Sequence, residues 1–181
     1  MKILAIDQAR NGGWAIFDYD TKKLLKSGSY SFPDRKYTFT QAVLGTESFI
    51  QELIAKENIS AVFFEDIQLR VNVAGFKKLA QLQGVLINLC EKNNYLYYII
   101  APSTWQGYCG ARGRTTKEKK SKTPNNKKEN NTTQKKKSSK LLSIEYVKNK
   151  YGVDTDNDNM SDAICIGTYV VDNVVIHSSN E

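Results

Sequence analysis

The first third of the chain sets short apolar runs between turn formers. Lys2-Ile3-Leu4-Ala5-Ile6 leads into Asp7, and after a predicted turn at Asn11-Gly12-Gly13 a second run covers 14–19. A third β-like run, 24–32, ends before Pro33, so the opening reads as three antiparallel strands in a meander. From 40 to 56 the period changes: Ala42, Val43, Phe49, Leu53 and Ile54 recur at helical spacing. Ala61-Val62-Phe63-Phe64 is a buried strand ending on Glu65-Asp66. Helical spacing returns over 73–93 through Phe76, Leu79, Leu82, Leu86 and Leu89, and 96–100 is a fifth strand stopped by Pro102. Over 113–139 the apolar period disappears into Lys, Asn, Thr and Ser, a low-complexity composition that predicts flexibility. Two further helical patterns follow, 141–151 and 160–171. Together these elements predict an α/β fold: a five-stranded mixed sheet, its first three strands antiparallel, flanked by helices.

With 181 residues, 40% of them hydrophobic, the chain is predicted to form a single domain spanning 1–181. Cys90, Cys109 and Cys165 lack any C-x-x-C spacing and His177 is the lone histidine, which argues against a disulfide framework and a structural zinc site. No stretch approaches the roughly 18 apolar residues of a membrane span or forms a signal peptide, so a cytoplasmic protein is expected. The net charge of +7 is concentrated: of 26 Lys/Arg and 19 Asp/Glu, residues 112–140 hold 12 and 2, leaving 14 basic against 17 acidic elsewhere. Such a segment suits either a polyanion, most often nucleic acid, or a solubilising loop.

Acidic residues carry the candidate chemistry. Asp7 and Glu65 each end an apolar strand, where a carboxylate is costly to bury unless donors, a cation or a metal compensate it. For Asp7 a turn-capping role leading into Gln8-Ala9-Arg10 is the competing reading. Asp158 and Asp162 lie four apart at the start of the last helix and share a face, with Asn159, three before Asp162, as the competing partner and Asp156 in reserve. Capping explains some acidic residues here, but not Asp162, which is inside the helix. Hard oxygen ligands without a His or Cys cluster favour Mg2+, with Mn2+ as a substitute, and several carboxylates around a pair of ions suit two-metal phosphodiester hydrolysis.

The ordered combination of Ile3-Leu4-Ala5-Ile6-Asp7, Gly13-Trp14-Ala15, Phe63-Phe64-Glu65, the stretch 74–86 and Asp162-Ala163-Ile164 resembles the RuvC-type Holliday junction resolvases of the ribonuclease H-like superfamily, and most of all their bacteriophage-encoded branch. The resemblance implies a metal-dependent endodeoxyribonuclease acting on branched DNA, four-way junctions or forks, with Asp7, Glu65, Asp158 and Asp162 as catalytic metal ligands. It further implies a homodimer, with the helix beginning near Val73 as the contact; the same apolar residues also suit the core. Family members often carry an aromatic residue three positions after the glutamate, where this chain has Gln68. The basic segment is expected to contact phosphates through Arg112, Arg114, Lys117, Lys119, Lys120 and Lys140 without reading sequence, because flexible lysines act as point charges. Two other functions fit parts of the pattern: a non-catalytic DNA-binding protein, and a phosphotransferase of the actin and sugar-kinase type.

Overall fold

The computed structural model describes residues 1–69, 72–112 and 139–176. Among these residues ten elements follow one another: β1 (Lys2–Asp7), β2 (Asn11–Asp18), β3 (Lys23–Ser31), α1 (Phe39–Glu57), β4 (Ala61–Glu65), α2 (Val73–Lys92), β5 (Leu96–Ile100), α3 (Pro102–Tyr108), α4 (Ser139–Tyr151) and α5 (Asp158–Asn173). The strands form one sheet in the order β3-β2-β1-β4-β5. The meander pairs antiparallel, whereas β4 runs parallel to β1 and β5 parallel to β4, as helical crossovers require. The expected mixed five-stranded sheet is therefore present, with its central strand β1 contributed by the first residues of the chain.

Alternation within the strands builds two cores. Ile3, Ala5, Ala15, Phe17, Ala61 and Phe63 pack on one face, against Trp105 of α3, Val147 of α4 and Ala163, Ile164 and Ile166 of α5. Leu4, Ile6, Ile16, Val62 and Phe64 pack on the other, against Ile50 and Leu53 of α1 and Leu82 and Leu86 of α2. The near-continuous apolar runs of β1 and β4 follow from this: both faces are covered, so neither alternate position is left to solvent.

Two boundaries depart from the sequence expectation. Asn11-Gly12-Gly13 is the start of β2, not a turn. The reason is crowding. A side chain at Gly12 would meet the Tyr30 ring, with the hydroxyl oxygen 2.3 Å from its Cβ position, and Gly13 is crowded by α5. These glycines provide close approach inside a strand. Pro102, besides following β5, opens the short helix α3, where its missing N–H costs nothing at the first helical position.

Candidate metal centre

β1 and β4 end side by side. Their parallel register pairs Ile6 with Phe64, so the next residues, Asp7 and Glu65, are neighbours across the ladder. By strand alternation both continue the face of Ile3-Ala5 and Ala61-Phe63, the face that α5 covers. The carboxyl ends of parallel strands, where a sheet changes its direction of winding, are the common location for ligand sites in α/β folds.

Gln8 fastens the two strand ends together. It is 4% exposed, and its side-chain amide treats Glu65 as a ladder partner: the Glu65 N–H donates to Gln8 Oε1 at 3.0 Å, and Gln8 Nε2 donates back to the Glu65 carbonyl. That carbonyl also accepts from Gln83 Nε2 of α2 at 3.0 Å. The Glu65 carboxylate is oriented from the opposite layer, since Trp105 Nε1 of α3 donates to Oε1 at 3.1 Å. Nothing in the sequence marks these three residues. A glutamine directly after the strand-end aspartate carries no pattern by itself, and the Glu65 contacts of Gln83 and Trp105 depend on layers that meet only in the folded chain.

α5 brings the remaining acids to the same place. Asn157 caps it by accepting from the Met160 N–H at 2.9 Å. Its first turn then lies on β2 so tightly that a Cβ at Gly13 would sit 1.9 Å from the Asn159 carbonyl oxygen. Gly13 is the register partner of Asp7. Further along, a Cβ at Gly167 would fall 2.3 Å from the Phe17 ring, so the helix is seated closely at two points. With this seating the negative first turn of α5 faces the end of β1, and the helix N-terminus favours the charge of Asp158 there.

The electrostatics show how close the groups stand. Burial pushes the Asp7 carboxyl well above its usual range, and Glu65, Asp162 and Asp158 push it further, while Lys140 draws it back. Burial likewise raises Asp162, to about 6, with the negative charge of Asp158 adding to the rise while the Ser143 hydroxyl and Lys140 offset part of it. Lys140, at the start of α4, forms an ion pair with Asp158, and that hydrogen bond raises the lysine's own pKa. Asp7, Glu65 and Asn159 line a cleft of about 300 Å³ at this end of the sheet. Of the two candidates on α5, then, Asn159 borders the cleft, whereas Asp158 is outside its lining and is paired with Lys140.

Among the described residues, no three His, Cys, Asp or Glu side chains are gathered into a ready-made metal cage. Asp7 and Glu65 line the cleft, whereas Asp158 and Asp162 of α5 are not in its lining and act on Asp7 through their charge. Their chemistry nonetheless fits a hard divalent ion: the donors are oxygens, two are half-buried strand ends, and the repulsion that raises Asp7 is what a dication relieves. Arg112 donates to the Ser103 carbonyl from an exposed position. Arg114, Lys117, Lys119 and Lys120 lie outside the described residues.

No family model and no curated protein sequence matches the chain. Solved structures do. Thermus thermophilus RuvC, in complex with a Holliday junction substrate, is 13% identical, with 93% of this chain and 91% of that one covered at a TM-score of 0.64. This chain has the RuvC-like ribonuclease H fold. The yeast mitochondrial Holliday junction resolvase Ydc2 matches with 14% identity over 93% of this chain and 77% of its own, at a TM-score of 0.58. The fowlpox virus resolvase, solved with substrate Holliday junction DNA, matches with 13% identity over 97% of this chain and 100% of its own, at a TM-score of 0.55. At these identities the likeness is one of fold. Among the described residues no helix is long and apolar enough to cross a membrane.

Proposed function

We propose that the protein is a divalent-metal-dependent endonuclease that resolves four-way DNA junctions and related branched DNA, with Asp7, Glu65, Asp162 and Asp158 as the metal-binding carboxylates and Mg2+ as the ion. The observation that carries this reading is the position of Asp7: a half-buried carboxylate at the end of the central strand, raised by burial and by three other acids, on a fold shared with junction resolvases from a bacterium, a yeast and a virus. A site meant only for stability would not concentrate repulsion in this way. The non-catalytic reading leaves this cluster unexplained.

The chain's own groups have separable tasks. Asp7 and Glu65 present oxygens from two strands whose spacing is fixed by Gln8, so the scissile phosphate meets a rigid edge. Asp162, raised to about 6, is ionised at neutral pH and protonates in mild acid. Lys140 partly neutralises α5 and gives an approaching phosphate a cation beside the acids. Asp7, Glu65, Asp158 and Asp162 would hold the divalent ions, whose chemistry there would be to activate water and to stabilise the leaving oxygen in phosphodiester hydrolysis. Asn159 borders the cleft as a neutral amide and adds no further negative charge. Two sites on opposite strands call for a homodimer, in which each copy makes one of a pair of cuts.

The direct experiment offers a four-way junction, a replication fork and linear duplex to the protein with Mg2+ and with EDTA. Paired nicks in the junction that require Mg2+, with the linear duplex left intact, are expected. Equal cutting of linear duplex or cutting unaffected by EDTA would contradict the proposal.

A further inference from the structure

Three cysteines that are isolated in the sequence are not isolated in the fold. Cys109 follows α3 and Cys165 lies within α5, and both belong to the core on one face of the sheet, whereas Cys90 is in the core of the other face. All three are free thiols. The Cys109 thiol donates to the Cys165 carbonyl at 3.6 Å, and the two thiols also hydrogen-bond each other. They are not equivalent. Contact with the Cys165 thiol draws Cys109 below the usual thiol range against the effect of burial; the Tyr146 hydroxyl and the Lys150 ammonium add to this, and Asp172 opposes it. Contact with Cys109, together with burial, pushes Cys165 well above that range. Cys109 keeps 5% of its surface in solvent, between the exposed Tyr108 and Gly110, and Cys165 keeps none. An oxidant therefore meets Cys109 first, at the thiol that ionises first, with a second thiol directly behind it.

We infer that Cys109 and Cys165 form a reversible disulfide under hydrogen peroxide, and that closing it pulls α3 and shifts the Trp105 indole away from Glu65. The chemistry balances in two steps. The Cys109 thiolate attacks one peroxide oxygen, the O–O bond breaks, and the departing hydroxide takes up a proton as water, leaving a sulfenic acid. The Cys165 sulfur then attacks the Cys109 sulfur, the S–O bond breaks, and the hydroxyl leaves with the Cys165 proton as a second water. Two thiols are oxidised to one disulfide and one peroxide is reduced. The sulfurs must close from contact to a bond of about 2.05 Å, so one helix has to give. α5 is seated tightly against β2 at Gly13 and against Phe17 at Gly167. α3 has only seven residues and no side-chain cap, so it is the helix that moves. Cys109 is tied to Trp105 through one turn, its N–H donating to the Trp105 carbonyl at 2.9 Å. A pull on Cys109 thus reaches the residue whose indole donates to Glu65 Oε1. Resting on the nuclease reading above, the oxidised protein holds Glu65 out of alignment and cuts more slowly, with its phosphate contacts unchanged.

The test treats the full chain with hydrogen peroxide, alkylates it and maps its peptides by mass spectrometry. A peptide linking Cys109 to Cys165 should appear, with Cys90 still alkylated, and dithiothreitol should reverse the link. In protein carrying isotope-labelled tryptophan, the indole N–H resonance of Trp105, assigned with Trp14→Phe, should move upfield on oxidation as its bond to Glu65 weakens, and return on reduction. Oxidised wild type should cut a four-way junction in Mg2+ about tenfold slower, the scale of one lost hydrogen bond to a charged group, with junction binding retained. Cys109→Ala and, separately, Cys165→Ala should cut like the reduced wild type before and after peroxide; each alone prevents the bond, so either serves if the other fails to fold. Cysteines that stay alkylatable, or that reach only sulfinic acid, would overturn the inference. So would a linked peptide with the Trp105 resonance unmoved, or slowing by peroxide that persists in the alanine variants. If the reduced wild type cuts nothing, the nuclease reading fails, and the linked peptide and the Trp105 resonance still decide the disulfide and its pull on α3.

Discussion

Asp162→Asn should make the metal-free protein more stable while removing its activity. Asp162 is held at about 6 in the folded chain against its usual 3.8. Between those values the folded state binds the proton more tightly than the unfolded chain does, so the contribution of Asp162 to stability falls as pH rises through that window. By neutral pH the ionised side chain costs the folded state about 3 kcal/mol, an upper figure because Ser143 and Lys140 rearrange around a neutral amide. For a protein of this size that corresponds to a rise in melting temperature of about 6–12 °C. The asparagine variant is neutral throughout, so its advantage should be absent at pH 3.5 and grow to its full value above pH 7. Melting curves in EDTA across that range measure it. Added Mg2+ should then stabilise the wild type progressively and the variant much less, because only an ion bound to the folded state shifts the equilibrium. Equal melting temperatures at pH 7.5 in EDTA, or an advantage of the same size at pH 3.5, would refute the reasoning.

Gly13→Ala places a methyl group 1.9 Å from the Asn159 carbonyl, so α5 must lift off β2; destabilisation of about 3 kcal/mol or more is expected in denaturant titrations, with loss of Mg2+ binding. Lys140→Ala removes the ammonium that shares charge with Asp158, Asp7 and Asp162. It should lower the Mg2+ concentration needed for half-maximal thermal stabilisation without DNA, yet weaken junction binding. Deleting residues 121–137, which carry Lys122, Lys127, Lys128 and Lys135 among others, should weaken DNA binding and reduce the log–log salt slope by about 0.9 for each phosphate that is no longer neutralised. An unchanged salt titration would remove that segment from the interface.

How far these features are legible in the sequence depends on the range of the interactions behind them. Apolar runs and helical spacing locate all five strands and the helices α1, α2, α4 and α5, because each is decided by which faces it buries. Asp7 and Glu65 are legible as strand-end acids, since a charge after four apolar residues has few explanations. The role of Gln8 is not: its partner is 57 positions away, and only the β1–β4 register shows that its amide completes the ladder. Local chemistry favours a turn at Gly12 and Gly13, and tertiary crowding by Tyr30 and Asn159 decides otherwise. The choice between Asp158 and Asn159 rests on the rotation of α5 about its axis. Helical spacing leaves both near Asp162, and the close seating at Gly13 turns Asn159 to the cleft and Asp158 toward Lys140.

The carboxylates as a metal-dependent cutting centre are tested most directly by separating binding from cleavage. Asp7→Asn and Glu65→Gln, each compared with wild type on a four-way junction in Mg2+, should bind the junction with wild-type affinity or tighter and cut it slower by at least about a hundredfold, the scale of losing one group that stabilises charge in the transition state. Cleavage at the wild-type rate by both variants, with junction binding intact, would contradict the account.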